Sequence, residues 1–324
     1  MSPQILILSQ SHLESTTDAV CQWLDHFRIP YRRVNGEDFF DFQHLGDLPG
    51  NTDTSVVWYR RKISSYPVKY SLKKDDFTTQ YTLKRFLADE FNGLHSFLFY
   101  TIDRRKWLND PISDANLNKL HVLALARKYG LRTPFTDVVT TRAAINRLLG
   151  SYPELIVKPV SECILLEDAA GGQYKMLTKT VNKAALATVP EKFFPSLVQE
   201  KIIKKFEIRT FYLDGECHSM AIFSQNNRKT QDDFRNYDNL RPNRTVPYKL
   251  PAELEHQLDL LMQSLGFRTG SIDLMADMQG NYHFLEINPE GQFGMVSYPC
   301  NYYLEKKMAR LLHKNTTHEK EIHQ

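Results

Sequence analysis

Gly270-Ser271-Ile272-Asp273-Leu274, a turn at Gly280, and then Phe284-Leu285-Glu286-Ile287-Asn288-Pro289-Glu290 form the stretch that decides how this chain is read. Both segments alternate or run apolar, as antiparallel strands do. Strand side chains alternate faces, so Glu286 and Asn288 point the same way. If the two segments pair as a hairpin, Asp273 joins them. Two carboxylates and one amide oxygen make a hard-oxygen set, suited to Mg²⁺ that keeps positions open for phosphate oxygens. The flanking Leu, Ile and Phe residues put these groups at a buried edge, where an unpaired carboxylate is costly. Taken alone, the segment reads equally well as a solvated strand end with scattered acids.

Upstream, Ile156-Val157-Lys158-Pro159 ends an apolar strand with a lysine that would point into a cleft. Asn118-Lys119 stands at a helix start, where the dipole disfavours positive charge unless an anion is near. Gln199-Glu200-Lys201-Ile202-Ile203 follows an apolar strand, and Glu207 comes seven residues after Glu200. Each lysine by itself is more often a surface residue.

The N-terminal part opens β-α-β. Strands are expected at Gln4 to Ser9, Tyr31 to Val34 and Ser55 to Tyr59, with a helix carrying Val20, Trp23, Leu24 and Phe27 between the first two. No GxGxxG follows the first strand, so a pyrophosphate cradle is excluded there. A long helix covers Phe77 to Phe99, and Trp107-Leu108-Asn109-Asp110-Pro111 reads as a turn-rich junction. Further helices are expected at Asn116 to Tyr129, Arg142 to Leu149, Pro251 to Leu265 and Tyr302 to Leu312, the last followed by a frayed tail. Strands are expected at Val138 to Thr140, Ile156 to Pro159, Tyr174 to Thr180, Leu197 to Ile203, Glu207 to Tyr212 and Glu216 to Phe223. The chain is therefore α/β (α+β), with expected domains at 1–112, 113–199 and 200–324.

Composition narrows the function classes. The 324 residues are enough to bury cores without disulfides. Lys and Arg number 41 against 38 Asp and Glu, a net +3, which argues against a protein that neutralises a nucleic-acid backbone. Cys21, Cys163, Cys217 and Cys300 form no CxxC and read as reduced thiols. No basic, apolar leader opens the chain and no stretch nears a membrane span, so a cytoplasmic protein is expected. The eleven His show no HxxxH or HExxH pair, and Ser151 and Ser161 lie in no GxSxG elbow.

Lys119, Lys158, the Glu200-xx-Ile203-xxx-Glu207 step and Asp273…Glu286-x-Asn288 together resemble the ATP-grasp ligases, in the RimK-like branch. Within that branch the chain resembles the peptide maturases that make graspetides, of the microviridin and grasp-with-spasm types. The narrower likeness rests on Ile5-Leu6-Ile7-Leu8-Ser9-Gln10, Val57-Trp58-Tyr59-Arg60-Arg61, Trp107-Leu108-Asn109-Asp110-Pro111, Gly130-Leu131-Arg132-Thr133-Pro134, Ser224-Gln225 and Asp233-Phe234-Arg235.

The resemblance implies an ATP-grasp fold with an N-terminal α/β pre-ATP-grasp domain and ATP held between two antiparallel sheets. It implies that Lys119 and Lys158 hold the phosphates, that Glu200 and the backbone of Lys201 and Ile203 read the adenine edge, and that Glu207 takes the ribose hydroxyls. Asp273, Glu286 and Asn288 would hold two Mg²⁺, with Glu286 bridging. Arg209 and Arg235 would serve the γ-phosphate and an acyl phosphate. The loop Ser161-Glu162-Cys163-Ile164-Leu165-Leu166 departs from the glycine-rich pattern of the wider family, with Gly171-Gly172 only later.

The implied activity is ATP-dependent ring closure in a ribosomal precursor peptide of leader plus core: an Asp or Glu side chain is activated, and a Thr or Ser hydroxyl (ω-ester, the first choice) or a Lys amine closes the ring. A homodimer is a family expectation. One rival is a RimK-type or other ATP-grasp ligase that adds an amino acid to a protein or small molecule. Another is a non-catalytic module that kept the fold, which is disfavoured because both phosphate lysines and all three metal positions are present. Tyr59-Arg60-Arg61-Lys62…Tyr66-Pro67…Lys69-Tyr70 would supply part of a leader groove, or is an ordinary solvated loop. Arg228-Lys229…Arg235…Arg241…Arg244 would grip an acidic core peptide, form a charged lid over ATP, or do both. Glu290 would touch substrate or serve structure near Gly291.

Overall fold

A computed structural model describes residues 4–36, 54–61, 77–161, 165–167, 173–175, 179–225 and 240–322. Of the positions singled out above, Lys62, Tyr66, Pro67, Lys69, Tyr70, residues 162–164, Gly171, Gly172, Arg228, Lys229, Asp233, Phe234 and Arg235 lie outside the described residues. The chain divides into two units. One is Met1–Asn116 with Leu265–Gly270 and Pro289–Gln324; the other is Leu117–Ser264 with Ser271–Asn288.

The first unit opens with β1 (Ile5–Ser9), α1 (Ser15–His26), β2 (Tyr31–Asn35), β3 (Val56–Tyr59), α2 (Phe77–Thr101), β4 (Trp107–Leu108) and α3 (Pro111–Ala115). The strands form a parallel sheet in the order β2-β1-β3-β4. Every residue of β1 and β3 is buried, as a sheet covered on both faces requires. Leu6, Leu8, Val57 and Tyr59 pack with Leu98 of α2, with Ile102 just after that helix and with Trp107. Trp107-Leu108, expected as a turn, is therefore a strand: two buried side chains pair with Val57 and Trp58. The turn follows it, where Asp110 caps α3 by accepting from the Ile112 N–H at 3.0 Å, with Pro111 at the first helical position.

The second unit continues with α4 (Lys119–Lys128), β5 (Thr136–Thr141), α5 (Arg142–Leu148), β6 (Leu155–Lys158), β7 (Leu165–Glu167), β8 (Gln173–Lys175), β9 (Lys179–Val181), β10 (Lys192–Glu200), β11 (Lys204–Leu213), β12 (Glu216–Phe223), β13 (Arg244–Tyr248), α6 (Ala252–Ser264), β14 (Thr269–Asp277) and β15 (Tyr282–Asn288). It contains a four-stranded sheet β5-β10-β6-β9, a five-stranded sheet β13-β12-β11-β14-β15 and the β7-β8 pair. The expected single strand Tyr174 to Thr180 is divided between β8 and β9, which belong to different sheets.

In the four-stranded sheet Val139, Leu155 and Val198 pack with Ile145, Leu148 and Leu149 at α5. Alternation then turns Val138, Ile156, Lys158 and Gln199 to the other face. In the five-stranded sheet the Tyr212 hydroxyl donates to Asp259 of α6 at 2.5 Å. By the same rule Glu207, Arg209 and Phe211 face away from that helix.

After β15 the chain returns to the first unit as α7 (Gly294–Cys300) and α8 (Leu304–Ile322), and α8 packs against α1. The tail expected to fray after Leu312 is helical instead. Asn315 donates to the Leu311 carbonyl at 2.7 Å and accepts from Arg268 at 2.9 Å, and Thr316 is buried. Among the described residues no helix is long and apolar enough to cross a membrane.

Candidate functional site

β14 and β15 pair antiparallel, with Ser271 opposite Asn288 and Asp273 opposite Glu286. Directly opposed residues share a face, so these four side chains do. The register slips between Asp273 and Leu274: Leu274 faces Phe284, leaving Leu285 as the extra residue of a bulge. Such a bulge sharpens the strand's bend right beside the two acids.

The neighbouring strand β11 brings Arg209 to the same face. Its Nη1 donates to Asp273 Oδ1 at 2.6 Å, with the two side chains 11% and 10% exposed. Its Nε is buried with no partner, and so is the Ser271 hydroxyl. Buried donors left unmade are costly, so both ask for an acceptor at this face.

Lys119 opens α4, which is capped by the Asn118 side chain accepting from the Leu120 and His121 N–H groups. The anion that a lysine at a helix start calls for is Glu286: Lys119 Nζ lies 3.7 Å from its Oε2. α4 is held beside β15 by the segment that follows it, since the Phe284 N–H donates to the Arg132 carbonyl at 2.8 Å.

Glu207 is 4% exposed and both its oxygens are engaged, by Lys204 Nζ at 2.7 Å and by the Ser224 hydroxyl at 2.6 Å. Sequence reading missed Lys204. Its spacing of three from Glu207 puts the two on opposite faces of a regular strand, and the pair forms because Lys204 sits at the strand's first position. Glu200 Oε1 accepts from the Phe135 N–H at 2.9 Å, so this carboxylate fastens β10 to the start of β5. The Lys201 N–H donates to the Glu154 carbonyl at 3.1 Å and its ammonium lies 3.2 Å from the Glu154 carboxylate, so both donors are engaged within the protein. The Ile203 side chain is 76% exposed. Lys158 ends β6 opposite Leu197, on the face turned away from α5.

The structure thus gathers Lys119, Arg209, Asp273, Glu286 and Asn288, adds Ser271, and places Lys158 and Glu200 on the other sheet. Arg235 lies outside the described residues. Glu290 belongs to the first unit. Its carbonyl accepts from Arg60 at 2.9 Å, and burial, reinforced by neighbouring Asp114, raises its carboxyl above the usual range.

Among the described residues no cluster of three or more His, Cys, Asp or Glu is present. The donors at the hairpin are two carboxylates and an amide, with unpartnered Arg209 Nε and Ser271 Oγ beside them. That set fits a hard divalent cation that shares its ligands with a phosphate, and it does not fit a closed protein cage for a transition metal.

The hairpin tip is tightened by Asp277, which accepts from the Gln279 and Asn281 N–H groups, from the Asn281 side chain and from His283 Nε2 at 3.0 Å. Burial alone would raise its carboxyl; these hydrogen bonds outweigh burial and hold it well below the usual range. A depressed pKa stabilises the fold above the unfolded value of about 4 and loses that stabilisation as pH falls through the folded value. Asp277→Asn is expected to cost about 1–3 kcal/mol at neutral pH. Thermal melts should show the gap to wild type narrowing as the pH drops below about 4.

Solved structures share this architecture. A RiPP-associated ATP-grasp ligase from Chryseobacterium gregarium, in complex with ADP and a leader and core peptide, superposes with a TM-score of 0.75 at 21% identity, covering 96% of each chain. The fold is that of the ATP-grasp ligases. The macrocyclase MdnC of Microcystis aeruginosa MRC, bound with the precursor peptide MdnA, gives 0.72 at 22% identity over 96% of this chain and 99% of that one. D-cycloserine synthetase DcsG gives 0.56 at 13% over 96% and 99%. No family model and no curated protein sequence matches the chain. In the ATP-grasp frame, the hairpin segment Ser271–Asn288 and the lysine of α4 sit in one unit with both antiparallel sheets.

Proposed function

We propose that the protein is an ATP-dependent peptide maturase that closes rings between side chains of a ribosomal precursor peptide. One observation carries the catalytic half of this reading. Lys119, expected on phosphate, and Glu286, expected on metal, come from distant segments and lie 3.7 Å apart, on a hairpin whose Asp273 is held by Arg209. The choice of a peptide substrate is supported by likeness. The neighbours named as peptide-linked ligases or macrocyclases superpose at 0.70–0.75, against 0.56 for a small-molecule synthetase.

In this reading Lys119 and Lys158 hold ATP phosphates as point charges. The adenine edge meets the Glu200–Ile203 connection, with the Ile203 backbone as donor since the Lys201 N–H is engaged. Glu207, oriented by Lys204 and Ser224, accepts from the ribose hydroxyls. Asp273, Glu286 and Asn288 would hold Mg²⁺, which when bound neutralises charge on the transferring phosphoryl oxygens. Arg209 offers its free Nε to the same oxygens, and Arg235 is proposed to join it.

The substrate carboxylate displaces ADP from the γ-phosphorus and becomes an acyl phosphate. A Thr or Ser hydroxyl of the same peptide then attacks that carbonyl, loses its proton and expels phosphate. An intramolecular nucleophile has a high effective molarity, so a weak hydroxyl suffices. The reaction is proposed to run in the cytoplasm, with the enzyme as a homodimer and with domains divided near residues 112 and 199.

Mass spectrometry after incubation with a candidate precursor peptide, ATP and Mg²⁺ tests this. The expected product is lighter by one water per ring, with one ADP formed each time, and mild base restores the mass of an ester. A gain in mass or the formation of AMP would overturn the macrocyclase reading.

A further inference from the structure

The two strands that carry the metal donors are tied together at their feet by one side chain outside the hairpin. Asn109, 7% exposed at the end of β4, uses its whole amide there. Its Oδ1 accepts from the Arg268 N–H at 2.9 Å and the Thr269 N–H at 3.1 Å. Its Nδ2 donates to the Thr269 carbonyl at 2.8 Å, to Thr269 Oγ1 at 3.1 Å and to the Pro289 carbonyl at 3.4 Å. Thr269 begins β14, and Pro289 directly follows Asn288, the last residue of β15.

The need for this tie is legible in the backbone. Ser271 and Asn288 form the last registered pair of the hairpin. Beyond them Pro289 has no N–H to give, so the ladder cannot continue with its own groups. A side-chain amide carries the same donor and acceptor as a peptide group and takes the place of a strand residue. Asn109 adopts φ +20°, a left-handed setting that Asn tolerates better than most residues. The next carbonyl, that of Glu290, is held by Arg60.

We propose that Asn109 is a positioning residue for the metal-binding hairpin: it fixes the register and separation of β14 and β15 where they present Asp273, Glu286 and Asn288. The proposal rests on the metal reading given above. Misplacement of such ligands by about 1 Å is enough to cost on the order of 10²-fold in rate.

The test is calorimetric titration of the ATP analogue AMPPNP with and without Mg²⁺. In wild type Mg²⁺ should tighten binding. Asn109→Gly, which removes the amide without backbone strain, should lose at least tenfold of that Mg²⁺-dependent gain while Mg²⁺-free affinity stays within about twofold. Asn109→Asp, which keeps the acceptor but not the donor to Pro289, should lose part of it and serves if the glycine variant does not fold. Asp277→Asn loosens the same hairpin at its tip and should keep the full gain, which separates positioning from general loss of stability. The idea is overturned if the Asn109 variants keep the full gain or if Asp277→Asn loses as much. A wild type with no Mg²⁺-dependent gain would instead remove the metal reading, and the proposal with it.

Discussion

Glu286→Gln is expected to abolish ATP-dependent turnover in a protein that stays folded. The side chain is 24% exposed and faces Lys119 at 3.7 Å, so the ion pair is partly solvated and contributes little to stability. Gln fills nearly the same volume, and the thermal midpoint should move by the equivalent of about 0.5–1 kcal/mol or less. Function responds differently. The substitution removes a negative charge from a position that faces both the lysine and Asp273. It leaves Lys119 without its counter-ion and reduces a two-carboxylate donor set to one. Loss of a single well-aimed electrostatic contact commonly costs about 10²–10³-fold, and the bridging role proposed for Glu286 should exceed that. A coupled assay of ADP release, run beside a circular-dichroism melt, checks both halves. Near wild-type turnover would remove Glu286 from the site, whereas loss of the cooperative melt would show that its role is structural.

The hairpin was legible because it obeys the period-two rule: Glu286 and Asn288 had to share a face, and only the pairing with Asp273 needed the structure. The bulge at Leu285 was not legible, since no glycine or other local signal marks it. The anion required by Lys119 was foreseeable as a need, but its identity depends on α4 lying beside β15, a contact set by packing rather than by sequence neighbours. Trp107-Leu108 was misread because a two-residue strand is too short to show any periodicity. The end of α8 was misread because charged and polar residues mimic a frayed tail, while its anchor, Arg268 on Asn315, is far away in sequence. Asn109 escaped for a related reason. It looks like an ordinary turn residue, and its five partner atoms lie about the β14 start and just past β15. Local pattern therefore reported which residues share a face; it could not report which distant backbone a side chain serves.

Arg209 should separate the structural and chemical demands of the site more sharply than any other position. Its guanidinium and the Asp273 carboxylate are both about nine-tenths buried, so Arg209→Met leaves a carboxylate with no counter-charge. Breaking such a pair from one side commonly costs about 3–5 kcal/mol, and a large fall in the thermal midpoint of the free protein is expected. Arg209→Lys keeps a positive charge near Asp273 and should recover much of that stability. It should not recover the proposed chemistry, because an ammonium is not a planar fork: it cannot hold Asp273 with one nitrogen while offering a second, as the unpartnered Nε does, to the proposed phosphoryl oxygen. The lysine variant is therefore expected to melt close to wild type yet lose about 10²–10³-fold in kcat, with KM for ATP changed only a few-fold because Lys119 and Lys158, the proposed phosphate ligands, remain. If stability and kcat were restored together by lysine, Arg209 would be a counter-ion for Asp273 and nothing more, and stabilisation of the transferring phosphoryl group would have to be sought elsewhere.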